Sequence, residues 1–356
     1  MNITFMIGNG FDLGCGLKST YSDIYNEYIK TASNAKVIDE FKKMIEGNIG
    51  SWADFEMAMA KYSSRFSSEE DFLICLRDFR KFVKIYISNE QRKFWERVKA
   101  ADFLTNKPKY TKLILRASSE FYRSPSKNRD SYFKALLDTE SVKYSCVNFN
   151  YTNVFEMLFK SFSNIDMDIV HVHGSIDEDI VLGIDNISQL PDLAYHVSTK
   201  MNRAFVKTEY NAAIDITRIQ ETEKKIAKSD IICIFGLKLG DSDFSWRENV
   251  LSWLIDDVKH HLFVYKHSAI KCVDTDPDEQ IELEEAYRRE VLTSWGVDSE
   301  SQRAVESQVH IPIGRNIFNI SGLVEQLEKE QREMAYRMEQ QNERNKQRST
   351  GSMTLH

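Results

Sequence analysis

Proline is scarce in this chain, at 5 of 356 residues, and cysteine no more frequent, also at 5. Cys15, Cys75, Cys146, Cys233 and Cys272 are scattered and odd in number. That pattern fits reduced thiols in a cytoplasm better than a disulfide framework. No Cys-x-x-Cys pair occurs, which removes a zinc ribbon from consideration. Long apolar runs are missing too. Stretches such as Ile231-Ile232-Cys233-Ile234-Phe235 are strand-length, so no membrane span is expected. The N-terminus lacks a basic region followed by a long apolar segment, so no secretory leader is expected either. Positive charge is not in excess, because the net charge is −7, which argues against a general binder of nucleic-acid backbones. What remains is a soluble globular composition, 42% hydrophobic and 28% charged, with enough length for a large core.

Short β-branched or aromatic runs stopped by Gly or Asn predict strands at Ile3 to Ile7, Tyr144 to Phe149, Asp168 to Val172 and Asp230 to Phe235. A fifth is expected at Leu262 to Tyr265, with shorter ones at Ile180 to Leu182 and Asn316 to Ile320. Between the first two strands the pattern is helical. Tyr21, Ile24, Tyr25 and Tyr28 share one helix face, as do Phe72, Leu76, Phe79, Phe82, Val83 and Tyr86. Asn106 to Pro108 and Ser124 to Asn128 read as polar loops within that segment. Strands alternating with helices imply an α/β fold with a mostly parallel sheet. The expected organisation is one domain over residues 1–322, with a helical insertion at about 17–142 packed near the carboxyl ends of the strands. Residues 323–356, rich in Glu, Gln, Arg and Lys, read as a charged helical or disordered tail.

Polar motifs sit where the strands end. The first strand runs into Gly8-Asn9-Gly10-Phe11-Asp12-Leu13-Gly14, the arrangement by which α/β folds bring backbone and a helix start to a nucleotide phosphate. The spacing departs from the dinucleotide fingerprint, and Asn-Gly is also a common turn. The second strand ends in Asn148-Phe149-Asn150-Tyr151-Thr152-Asn153. There Thr152 or Asn153 reads as a helix cap, and Asn150 as the better functional candidate. The third ends in His171-Val172-His173-Gly174. Two histidines at i and i+2 admit a metal pair, but no third ligand presents itself and no metal site is expected. His173, at the strand end, is the candidate general base, and His171 reads as structural. The fourth strand opens into Gly236-Leu237-Lys238-Leu239-Gly240-Asp241-Ser242-Asp243. Asp241 and Asp243 fit either ribose hydroxyls or, for Asp243, a helix cap. In Trp52-Ala53-Asp54-Phe55-Glu56 the aromatics read as core, and Asp54 as an N-cap.

These blocks together, with Gly16-Leu17-Lys18-Ser19-Thr20-Tyr21, resemble the AbiH proteins, a bacterial abortive-infection family, over roughly residues 1–320. The resemblance implies phage defence in the cytoplasm. A second, more distant resemblance is to the sirtuin-like (Rossmann-type) fold, which has a glycine turn, an Asn-containing strand end and a His-Gly strand end in this order. It implies that Gly8, Asn9 and Gly10 cradle the NAD pyrophosphate, that Asn150 lies near the nicotinamide ribose, and that His173 is catalytic. The zinc-binding cysteine pairs of sirtuins are missing, which points toward the sirtuin-like NAD hydrolases of bacterial defence rather than to deacylation. On that basis the expected chemistry is hydrolysis of NAD as substrate. Asp12 and Asn150 would position ribose and water, His173 would accept a proton, and Asp241 or Asp243 would bind the adenosine ribose. A nucleotide-sensing module without turnover, and a metal-dependent nuclease using Asp12, Asp54 and Glu56, stay open. The expected ligand is a dinucleotide, not nucleic acid. A partner protein, a phage trigger and a homo-oligomer are left undecided.

Overall fold

A computed structural model describes residues 1–52, 54–101, 106–112, 141–162, 166–192, 197–214, 217–267, 276–314 and 318–351. Six strands form one sheet: β1 (Asn2–Ile7), β2 (Lys143–Asn148), β3 (Met167–His171), β4 (Ile231–Phe235), β5 (His261–Val264) and, after the short β6 (Lys266–His267), β7 (Val309–His310). The order is β3-β2-β1-β4-β5-β7, and each of its pairings is parallel. The short β6 pairs instead with β8 (Ile313–Gly314). The sheet grows from β1 in both directions, so the chain reverses course between β1 and β4. In open α/β sheets the crevice above such a point is where ligands bind.

Strand alternation explains the burial on both faces. Ile3, Phe5 and Ile7 of β1 join one apolar cluster with Phe11, Phe155 and Leu327, whereas Met6 joins the opposite one with Trp246, Trp253 and Leu292. Thr4, on the second face, keeps its hydroxyl satisfied by Ser145 (2.7 Å) and Ser229 (2.6 Å). The helices between β1 and β2 build a third cluster. Tyr25, Trp52, Phe55 and Phe79 are each fully buried there, and the Phe55 and Phe79 rings stack at 4.2 Å. The helical faces expected at Tyr21 to Tyr28 and Phe72 to Tyr86 lie on helices Tyr21–Tyr28 and Glu69–Ala100. Helix Ile320–Gly351 buries Val324 and Leu327 against the first cluster, while Met334, Tyr336 and Met338 are exposed.

Some local expectations are corrected. Residues 106–112 are helical rather than a loop, Pro108 included. Ile180, Val181 and Leu182 are buried but form no strand. Of the strand expected at Asn316 to Ile320, residues 316 and 317 lie outside the described residues, and Ile320 begins a helix. The loop expected at Ser124 to Asn128 and the thiol Cys272 also lie outside the described residues. Cys15, Cys75, Cys146 and Cys233 are buried thiols.

Candidate functional site

The carboxyl ends of β1, β2 and β4, the loop after β3 and the helices that follow β1 enclose a cavity of about 650 Å³. Of the candidates read from the sequence, Gly8, Asn9, Asp12, Asn150, His173, Asp241 and Asp243 line it, together with Asp54 and Glu56. Gly10 and His171 are not part of its wall.

The glycine turn owes its composition to another turn. Gly8 N–H donates to Phe235 O and Gly10 N–H to Gly236 O, both at 2.9 Å. A Cβ on Gly10 would stand 2.5 Å from Gly236 Cα, and one on Gly8 would stand 2.7 Å from Gly236 O. Gly236 itself has φ +62°, a left-handed conformation that suits glycine. The turns after β1 and β4 therefore interlock, and this packing alone demands glycine at 8, 10 and 236. Asn9 closes the turn from the other side by exchanging side-chain hydrogen bonds with Ser19.

Asn150 is held where the strand-end reading placed it. Its amide Nδ2 donates to Gly8 O (3.1 Å) and its backbone N–H to Asn148 Oδ1 (2.9 Å). Its Oδ1 has no hydrogen-bond partner among the described residues. Asp12 is buried, accepting the Thr152 hydroxyl at 2.9 Å on each oxygen. Thr152 thus serves Asp12. Burial pushes the Asp12 carboxyl up to about 7, against the Thr152 bond and with help from Glu156.

The two histidines have different surroundings. His171 Nδ1 donates to Asn150 O (2.9 Å), and its Nε2 pairs with Glu156. Burial works against its charged form, but Glu156 outweighs that and holds its pKa above the ordinary value. His173, just before the positive-φ Gly174, is 7% exposed. Its Nε2 lies 3.0 Å from Asp243 Oδ1, and its Nδ1 is buried with no hydrogen-bond partner. Burial, and then the Lys207 ammonium, lower its pKa despite Asp243, so the imidazole is neutral at pH 7.

Asp243 occupies the N-cap position of helix Phe244–Asp256 but makes no side-chain cap bond. It faces His173 and Lys207 instead, with Lys207 Nζ 2.8 Å from the same Oδ1 and 2.6 Å from Ser242 O. Burial would raise the Asp243 pKa, but these two partners hold it well below the usual carboxylate range. Lys207 is buried, which disfavours its charge, yet Asp243 and Glu56 keep its pKa above the ordinary value. Asp241 differs. Its side chain is 72% exposed, and its neighbour is Arg247 Nη1 at 3.7 Å.

Asp54 caps helix Phe55–Tyr62 through Met57 N–H (3.0 Å) and also receives the Ser242 hydroxyl (3.3 Å). Both Glu56 oxygens accept the Tyr21 hydroxyl, at 2.9 and 3.0 Å. Burial pushes the Glu56 carboxyl up to about 8 against the pull of Lys207, so at pH 7 it is the neutral acid. Among the described residues, no group of three His, Cys, Asp or Glu side chains is placed to hold a metal ion.

The strand-end rule missed Lys207 and Arg247, both of which line the cavity from helical segments. The available signal was slight. Each basic residue directly follows an apolar one, Val206 before Lys207 and Trp246 before Arg247.

No curated protein and no solved structure matches the chain. Among the described residues, no helix is long and apolar enough to cross a membrane. A family model described as bacteriophage abortive infection AbiH matches residues 4–265, taking in most of β1, all of β2 to β5 and every residue of the cavity wall discussed above. The chain belongs to the bacteriophage abortive infection AbiH family.

Proposed function

We propose that this phage abortive-infection protein acts in the cytoplasm by hydrolysing the nicotinamide–ribose bond of NAD in the cavity above β1, β2 and β4. The observation that carries the reading is the oriented His173. Asp243 accepts its Nε2–H, which leaves Nδ1 as the lone-pair nitrogen of a residue that lines the cavity together with Asn150. The sheet supports it. Counted among themselves, the six strands follow the order 3-2-1-4-5-6, which is that of Rossmann-type dinucleotide-binding sheets.

The chemistry asks little of an acid, because nicotinamide leaves as a neutral base from a cationic ribosyl. The site must favour an oxocarbenium-like ribose and deliver water to it. His173, neutral at pH 7, accepts the proton from that water or from a ribose hydroxyl. Asn150, fixed through Nδ2 to Gly8 O, offers Oδ1 to orient the same water or hydroxyl. Asp12 lies on the same wall, and its raised pKa lets it hold a proton near neutral pH. Asp243 is committed to His173 and Lys207, which makes it a positioning residue and leaves Asp241 for the adenosine ribose. The nuclease alternative loses support from the carboxylates it needs. Thr152 holds Asp12, Asp54 caps a helix, and Glu56 is protonated against Tyr21.

Incubation of purified protein with NAD, followed by mass spectrometry, tests the reading. Free nicotinamide and ADP-ribose in equal amounts support it. NAD bound but unchanged makes the protein a nucleotide sensor, and cleaved RNA or DNA with intact NAD makes it a nuclease.

A further inference from the structure

Arg247 is only 8% exposed and contributes to the cavity wall. Its Nε is buried without a hydrogen-bond partner. The guanidinium makes no hydrogen bond to any described residue. Its nearest carboxylate, on the exposed Asp241, stands off at 3.7 Å, beyond hydrogen-bond length and open to solvent screening. The guanidinium carbon rests 4.9 Å from the centroid of the Phe244 ring. A buried guanidinium Nε–H with no acceptor is costly to keep.

The rest of the wall sharpens the point. Its carboxylates are Asp12, Asp54, Glu56, Asp241 and Asp243, and the Lys207 ammonium is spent on Asp243. Arg247 and the exposed Lys238 are the remaining cations of the wall, and among the described residues Lys238 has no ion pair. The glycine turn after β1, filled by Gly236 and Leu237, brings backbone but no charge. A dianionic pyrophosphate needs fixed donors and positive charge together, and a guanidinium fork supplies both to phosphate oxygens.

We propose that Arg247 is the phosphate anchor of this cavity, binding the pyrophosphate of a dinucleotide through its unsatisfied guanidinium edge, with Lys238 adding charge at the rim. This rests on the dinucleotide reading given above. It assigns the anion-binding role to the turn and helix after β4 rather than to the Gly8–Gly10 turn alone.

Calorimetric titration with ADP-ribose, inorganic pyrophosphate and adenosine separates the possibilities. Wild type is expected to bind ADP-ribose and pyrophosphate, and Arg247→Gln to weaken both by roughly 10- to 100-fold, the range expected for a lost charge-assisted pair. Adenosine, which carries no phosphate, should bind both proteins alike. Arg247→Lys, which keeps the charge and stem but not the fork, should fall between them and serves where the glutamine variant does not fold. Equal ADP-ribose affinity in the variants and wild type overturns the proposal. So does an equal loss for adenosine, or a wild type that binds neither phosphate ligand. Arg247-dependent binding of ADP-ribose without any release of nicotinamide from NAD would leave the anchor standing and remove the hydrolase reading.

Discussion

Glu56→Gln isolates one proton. In the folded chain the Glu56 carboxyl is pushed up to about 8 by burial, from an ordinary value of 4.5. The folded group therefore keeps its proton where the unfolded one has released it. The native state binds more protons over that window, and stability must fall as pH rises through it. The contribution is fully present below about pH 4.5 and lost once the pH passes the folded value. A difference of about 3.5 units corresponds to about 5 kcal/mol of stability lost across the window. Glutamine has the shape of the protonated acid and does not ionise. Its carbonyl still accepts the Tyr21 hydroxyl, so the variant carries a penalty of about 1 kcal/mol or less that does not change with pH. Urea denaturation at a series of pH values reads the difference. Near pH 5 the two proteins should match to within that small penalty. Near pH 9 Glu56→Gln should be the more stable by several kcal/mol. Parallel stability curves for the two proteins would show that Glu56 ionises normally in the fold, and would refute the neutral acid beside Lys207.

Gly10→Ala should lower the melting temperature with or without ligand, because its Cβ would meet Gly236 Cα at 2.5 Å; an unchanged melting temperature would break the interlocked-turn account. Lys207→Met should move the acid limb of the pH–rate profile upward. The ammonium lowers the His173 pKa and Asp243 raises it, so its removal lets His173 protonate and lose its lone pair at higher pH; a limb that stays put or moves down argues against this base. Asn150→Ala should cut NAD turnover by about two orders of magnitude or more while leaving the dissociation constant within several-fold, because a neutral amide orients more than it attracts. Normal turnover would reduce Asn150 to a turn residue.

The sheet was legible because its strands are buried on both faces, which forces short apolar runs, and because Gly or Asn ends each of the runs at β1, β2 and β4. A parallel sheet gathers its carboxyl ends, so residues at three separate strand ends could be expected to meet, and Asn150 does bond to Gly8. The rest depends on contacts that no local pattern encodes. Tyr21 reaches Glu56 across 35 residues, and Ser242 reaches Asp54 across 188. Gly10 reads as a ligand cradle from its neighbours in sequence, yet the space beside it is taken by Gly236. Asp243 stands at a cap position and carries a cap's side chain, but the buried Lys207 and His173 draw it away. Lys207 itself lies at the start of a helix, far from any strand end, where the strand-end rule has nothing to say.

The central claim is that His173, oriented by Asp243, is the base of an NAD-hydrolysing site. Nicotinamide release from NAD, compared between wild type and a folded His173→Ala protein, tests it most directly. Wild type should release nicotinamide, and the variant should do so slower by about two to four orders of magnitude, the usual cost of losing a well-placed general base. A wild type that releases none, or a His173→Ala protein that releases it at the wild-type rate, would contradict the account.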